Sequence, residues 1–421
     1  MQAPAAATGF ETANEHALAT ILDASQTRSI IACNDIFDIA GTKLWARSQP
    51  VSQELQRKLL DRRLRQPLES CLMAEDGVTA FTLLESMEAL LASDSALTPM
   101  LVPHAARLLK ETPYMPLHPV AQLLLTAGQE TRPQSFAHAV EAMALAGALV
   151  AGQGGTTQEL RLAMICGLLH DLGEMYIDPR YGEADADRNL DFESYQQLVV
   201  HPHVGQLLLA QLTDYPKVVT RGVAEHHERL DGSGYPYRLE QAQVSPIGRV
   251  LAVTEAALGV LRRDGADLAR ASVALRVVPS EHDMHWVGQV ARAARALPKR
   301  GAGFDPEAVR VRLEWLDTTL ADANLAVDAL RSRGEHASLS GALDLTRRLL
   351  GRLRAGWDDS GLWSPRSMSE QDLAEVDAIE DELRFRLRGI ERAARLRAGP
   401  IDEDDEEALH RICRDWVQHP R

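Results

Sequence analysis

The 421-residue chain is 45% hydrophobic and 25% charged, enough apolar material for a packed core in two or three domains. Its formal net charge of −15 excludes broad electrostatic binding to DNA or RNA, which needs a basic surface. Four scattered cysteines without a CxxC pair argue against a disulfide framework and for a reducing, cytoplasmic setting.

In chain order, residues 1–27 are rich in Ala and Thr and are expected to be a loosely structured leader with room for a short helix and without a secretory signal pattern. Residues 28–75 read as a small α+β module. Ile30, Ile31, Ile36 and Phe37, then Leu44 and Trp45, flank "DIAGT", where Asp38 and Gly41 suit a hairpin turn. A helix capped by Ser52 is expected through "QELQRKLLDRRL". Residues 76–133 form a helical connector broken by Pro103, Pro113, Pro116 and Pro119.

From 134 to 300 the pattern is helix upon helix, and "HAVEAMALAGALV" and "QELRLAMICGLLHDLG" are apolar round most of their circumference. No run is apolar enough to predict a membrane span. Residues 301–421 read as long charged helices with apolar stripes, suited to self-association or to a partner protein, and "IDEDDEE" as a solvated helix start. The expected fold is therefore mainly α: a helical bundle behind a small hairpin-containing module and ahead of a C-terminal helical region.

Chemistry concentrates in the bundle. His138 lies in "SFAHAVEAM", while His170 and Asp171 end the next apolar helix, which Gly173 can terminate. His201 opens "HPHVGQLLL", where Pro202 sets the first turn. His226 and His227 close the following helix, and Glu255 sits mid-helix in "RVLAVTEAALGVL". Each of these residues alone reads as a hydrogen-bonded core group. Together, on separate apolar helices that must share a core, they suit a dinuclear metal centre built from inward-pointing imidazoles and carboxylates. By contrast, His282 and His285 in "SEHDMHWVG" share an expected helix face without a carboxylate and read as structural.

The order H…HD…HP..G…HHE..DG.GYP, ending in "HHERLDGSGYP", resembles the HD-GYP family, a branch of the HD-domain metal-dependent phosphohydrolases. The resemblance covers roughly residues 134–275. It implies that His138, His170, Asp171, His201, His226, His227 and Glu255 ligate two divalent ions (iron, manganese or zinc), with Asp171 bridging. Gln134 stands where some members carry a further acidic ligand, which favours two ions over three. The implied substrate is cyclic di-GMP, opened to pGpG or carried on to GMP, by water that paired cations activate.

Asp171 and Glu174 then fall at catalytic positions, and Tyr235, Gly234, Arg262 and Arg263 at substrate-binding ones, while Asp231 and Pro236 shape the loop. Glu174 replaces the lysine of the family's HDxGK, and Glu255 replaces its last Asp. Two alternatives stay open: a degenerate member that binds metal and nucleotide as a sensor or scaffold, and a phosphohydrolase acting on another nucleotide.

Overall fold

The computed structural model describes residues 10–181, 192–263, 265–297, 305–333, 337–360, 370–399, 401 and 403–414. These are mainly α-helical, with two small antiparallel strand pairs towards the N-terminus. They divide into two units. Unit 1 comprises residues 1–190, 197–227 and 245–255; unit 2 comprises 191–196, 228–244 and 256–421. The segment 134–300 thus contributes to both.

In unit 1, Asn14 accepts the backbone N–H of His16 (3.0 Å) and Ala17 (2.9 Å) and so starts α1 (Glu15–Ala24). The short helix that the leader had room for is thus α1, and it belongs to the core rather than to a loose segment. Its apolar stripe of Leu18, Ile21 and Leu22 is buried, and α1 packs on α6 (Pro119–Thr131).

The expected hairpin is present as β2 (Ile36–Phe37) paired with β3 (Lys43–Trp45). Asp38 accepts the N–H of Thr42 at 2.8 Å, and Gly41 takes the positive φ of 90° that the turn requires. β1 (Ile30–Ala32) pairs instead with β4 (Leu72–Ala74), with Ile31 opposite Met73, a long-range match that local pattern does not disclose. Ser52 precedes α2 (Gln53–Leu59), but its side chain makes no capping hydrogen bond, which corrects the expected cap.

The connector contains α3 (Ala80–Ala92), α4 (Thr98–Leu101), α5 (Ala105–Glu111) and α6. Pro103 and Pro113 lie in short 3-10 turns and Pro119 opens α6, where a missing N–H costs nothing.

The centre of unit 1 is the pair α7 (Pro133–Gly152) and α8 (Thr157–Leu169), the second opened by a Thr156–Glu159 capping box. A Cβ at Gly167 would lie 2.5 Å from the carbonyl oxygen of Ala142, so α8 rests directly on the backbone of α7. Contrary to the sequence expectation, α7 is long and apolar enough to cross a bilayer, with mean hydropathy 1.4. Because 72% of that stretch is buried inside the protein, it reads as a core helix. α9 (Phe192–Leu198), α10 (His201–Leu212), α11 (Lys217–Glu225) and α12 (Pro246–Leu261) follow, and Pro202 and Pro246 take first-turn positions as expected.

Unit 2 holds α13 (Leu268–Ala274), α14 (Met284–Arg295), α15 (Pro306–Arg333), α16 (Ser340–Ser360), α17 (Glu370–Ala398) and α18 (Glu403–Arg414). Leu316, Leu320, Leu350, Trp357, Leu383 and Leu387 join one buried apolar cluster. The indole of Trp357 still finds a partner there, donating to Asp317 at 2.9 Å.

His282 and His285 do not share a helix face. His282 is buried ahead of α14, Asp283 caps that helix, and His285 is exposed. Within the acidic run at the start of α18, Asp405 is buried and accepts from Ser338, while Glu406 pairs with Arg395.

Candidate metal centre

Four local devices place the donor side chains of unit 1. α8 ends at Leu169, so His170 and Asp171 leave the helix where the backbone turns. His170 Nδ1 bonds to the carbonyl of Gly167 (2.7 Å), His201 Nδ1 to that of Leu198 (2.8 Å) and His226 Nδ1 to that of Val223 (2.6 Å). In each case the partner is the carbonyl three residues earlier. A carbonyl accepts only, so each Nδ1 carries a proton and each Nε2 points to the interior, where a neutral ring offers its lone pair.

Gly173 brings the segments together. A Cβ there would lie 2.0 Å from the carbonyl oxygen of His201 and 2.7 Å from the N of Gly205. The turn after Asp171 can therefore reach the first turn of α10 only because Gly173 lacks a side chain. Glu225 joins α11 to α12 in a similar way. Its buried carboxylate accepts from the backbone N–H of Ser245 (2.8 Å) and from the Ser245 hydroxyl (2.5 Å), beside the N-terminus of the helix that carries Glu255.

The result is two donor groups that share one carboxylate. His138, His170 and Asp171 form the first, and Asp171, His201, His226 and His227 the second; the ligating atoms of each group lie within 4.8 Å of one another. Asp171 Oδ2 faces His138 Nε2 (3.3 Å) and His170 Nε2 (3.1 Å), while Oδ1 faces His201 Nε2 (3.4 Å) and His226 Nε2 (3.3 Å). Glu255 adjoins the first group, 3.0 Å from His138 Nε2 and 3.3 Å from His170 Nε2. The longer glutamate thus reaches the same donors.

Electrostatics fit a cation at each group. His201 and His226 Nε2 lie 3.0 Å apart with both Nδ1 atoms turned to carbonyls, so two inward nitrogens converge where both could coordinate one cation. Burial, helped by His227, holds His226 down to about 3, keeping it neutral. At Asp171 burial works the other way, yet His170 and the other imidazoles hold its carboxyl well below the usual range.

Among the described residues, Glu174 belongs to neither donor group. It is buried, its backbone carbonyl accepts from Arg132 at 3.1 Å, and its carboxylate favours the charge of the partly buried Arg132. Gln134, one helical turn before His138, is exposed.

The remaining expected residues lie in unit 2. Tyr235 packs edge-on against Tyr195, centroids 6.1 Å apart, and Tyr195 lies under the guanidinium of Arg392. Arg263 is committed to Glu382 (3.1 Å) and to the face of Phe385. Arg262 follows the last residue of α12, and its N–H donates to the carbonyl of Leu258. Gly232 takes φ 78°, whereas Gly234 is not among the described residues with positive φ.

Sequence reasoning missed Arg132, Gly205, Glu225 and Glu228. Glu228 carried a signal, as the acidic residue of "HHE"; the others act through contacts that no motif marks.

The HD domain family matches residues 129–283. The chain is 32% identical over 154 residues to a cyclic di-GMP phosphodiesterase of Pseudomonas aeruginosa, covering 36% of each protein. It is 24% identical over 136 residues to a 3'3'-cGAMP-specific phosphodiesterase of Vibrio cholerae, covering 32% of this chain and 31% of that protein. The matches span about a third of the length of these curated relatives. A solved HD-GYP protein of Bdellovibrio bacteriovorus aligns over 64% of this chain and 97% of its own, at 14% identity and a TM-score of 0.36. Residues 129–283 therefore match an HD domain and carry the "HD" and "GYP" signatures, in line with the HD-GYP resemblance.

Proposed function

We propose that the protein is a metal-dependent phosphodiesterase that opens cyclic di-GMP to pGpG, with GMP as the onward product. The observation that carries this reading is the split carboxylate of Asp171, one oxygen towards each imidazole group. On it, His138, His170, Asp171 and Glu255 would hold one divalent ion, and Asp171, His201, His226 and His227 the other. The imidazole and carboxylate set without thiolate suits iron, manganese or zinc. Bound ions would supply the Lewis acidity that makes water a nucleophile near neutral pH and would offset the charge of the phosphodiester.

The chain's own residues do the rest. The Nδ1–carbonyl bonds fix which nitrogen of each ring faces inward, and Asp171 keeps the two groups in register. Asp171 and Glu255 also make a buried, anionic surrounding that favours divalent cations. We assign Tyr235, Gly234 and Arg262 to substrate contact, Arg263 to the scaffold with Glu382, and Glu174 to the partnership with Arg132. Protein purified without chelator should carry about two equivalents of metal and convert cyclic di-GMP, followed by chromatography. Metal-loaded protein that leaves the nucleotide intact overturns the reading.

A second reading, a nucleotide-binding member without turnover, is favoured by one observation: an acidic Glu174 stands where the family places a phosphate-directed lysine. If that charge alone limits the chemistry, Glu174→Lys should raise turnover. Because Glu174 is buried beside Arg132, we expect the opposite: two adjacent cations, a lower melting temperature and no gain in rate.

A further inference from the structure

The segment Glu228–Val244, which carries "GSGYP", is a closed loop within unit 2. At its base Gln241 donates its N–H to the carbonyl of Leu230 at 2.9 Å, and Asp231 and Glu240 form an antiparallel bridge. Inside, the buried carboxylate of Glu228 accepts the N–H groups of Tyr237 (2.7 Å), Arg238 (3.1 Å) and Leu239 (2.8 Å). One oxygen of Asp231 accepts from Ser233 N (3.0 Å) and Oγ (2.5 Å).

The other oxygen of Asp231 faces Arg352 Nη1 at 3.2 Å, with the Asp231 side chain only 2% exposed. One turn earlier on α16, Arg348 Nη1 lies 3.7 Å from Glu240 Oε1. Two arginines four residues apart therefore take the two sides of the same bridge. α16 lies beyond the HD-domain match, and its position is set independently. Leu350, Leu353 and Trp357 are in the core, and Gly356 lets its backbone lie on Val277, where a Cβ would be 2.0 Å from the carbonyl oxygen.

We propose that Arg352 is a positioning residue that fixes the GYP loop through Asp231, so that the C-terminal helices are part of the loop's scaffold. Without it the buried Asp231 carboxylate loses its counter-charge, and the base of the loop opens to let water in. The kinetic part of this inference rests on the phosphodiesterase reading; the structural part does not.

Full-length Arg352→Ala, Asp231→Asn and the double variant test it by amide hydrogen exchange, metal content and steady-state kinetics on cyclic di-GMP. Arg352→Ala should speed exchange at Tyr237–Gln241 at least about tenfold with metal content unchanged. It should also lower kcat/KM about 10- to 100-fold. Asp231→Asn should behave alike, and the double variant should be no worse than the worse single one, because both remove one interaction. Arg352→Lys, which keeps the charge, should recover part of both effects and serves as the test if the alanine variant does not fold. Wild-type exchange in Arg352→Ala, or effects that simply add, overturn the proposal. A wild-type protein inert towards cyclic di-GMP overturns the phosphodiesterase reading instead, and the exchange comparison still decides the role of Arg352.

Discussion

The donor centre and the GYP loop are neighbours in sequence, joined at His227–Glu228, yet they are built on opposite plans. Three of the donor imidazoles are oriented by the carbonyl three residues earlier in their own segments. The loop is held at its base by groups far along the chain, from Glu281, whose carbonyl accepts the N–H of Leu230, to Arg352. The difference teaches where each kind of precision comes from. A helix end can aim a ring by itself, whereas an irregular loop must borrow rigidity from elements that already have a core.

The comparison breaks most completely at the residue that the two donor groups share. Asp171→Ala should abolish metal retention and turnover together, read by elemental analysis and chromatography. Retained metal would mean that the imidazole groups stand independently. Next in size, Gly173→Ala places a methyl against the carbonyl of His201 and should cost about 1–3 kcal/mol, seen as a lower midpoint in chemical unfolding. An unchanged midpoint would show that the approach of the HD turn to α10 is not tight.

On the loop side, Glu228→Gln replaces a charged acceptor of three N–H groups by an amide with a single oxygen. It should cost about 1.5–3 kcal/mol and speed exchange at Tyr237–Leu239 while leaving metal content intact. Metal loss in this variant would erase the distinction between the two regions.

The smallest effect concerns the outer support of the HD turn. Tyr176, five residues after Asp171, donates to Glu69 at 2.8 Å, and burial pushes that carboxyl above its ordinary 4.5. A carboxyl whose folded pKa is raised contributes stability that is full below the unfolded value and is lost as pH rises through the folded value. Glu69→Gln, which keeps an acceptor for Tyr176, should flatten the fall in melting temperature on raising the pH above about 4.5. An identical pH profile would place the titration elsewhere.

The candidate donor residues were legible because a metal site calls for particular side chains, and helix ends announce themselves through Gly173, Pro202 and the histidine doublet. The order and spacing of His138, His170–Asp171, His201 and His226–His227 followed from that chemistry. The core position of α1 was missed because its stripe has meaning only against α6, and the β1–β4 pairing because its strands are 40 residues apart in the chain. The engagement of Arg263 by Glu382 and Phe385, more than 100 residues later, was equally invisible in the sequence.

The sequence by itself determined the helical class, the family resemblance and the set of candidate donor residues, since composition, periodicity and reactive side chains are local properties. Only the tertiary structure decided that Asp171 divides its oxygens between two groups, that Glu174 sits beside Arg132, and that Arg352 meets Asp231. Each of these depends on backbones coming within a few ångströms after folding. That approach is set by packing, by a missing Cβ at Gly173 or Gly356, and by buried charges that need partners, none of which has a fixed distance along the chain.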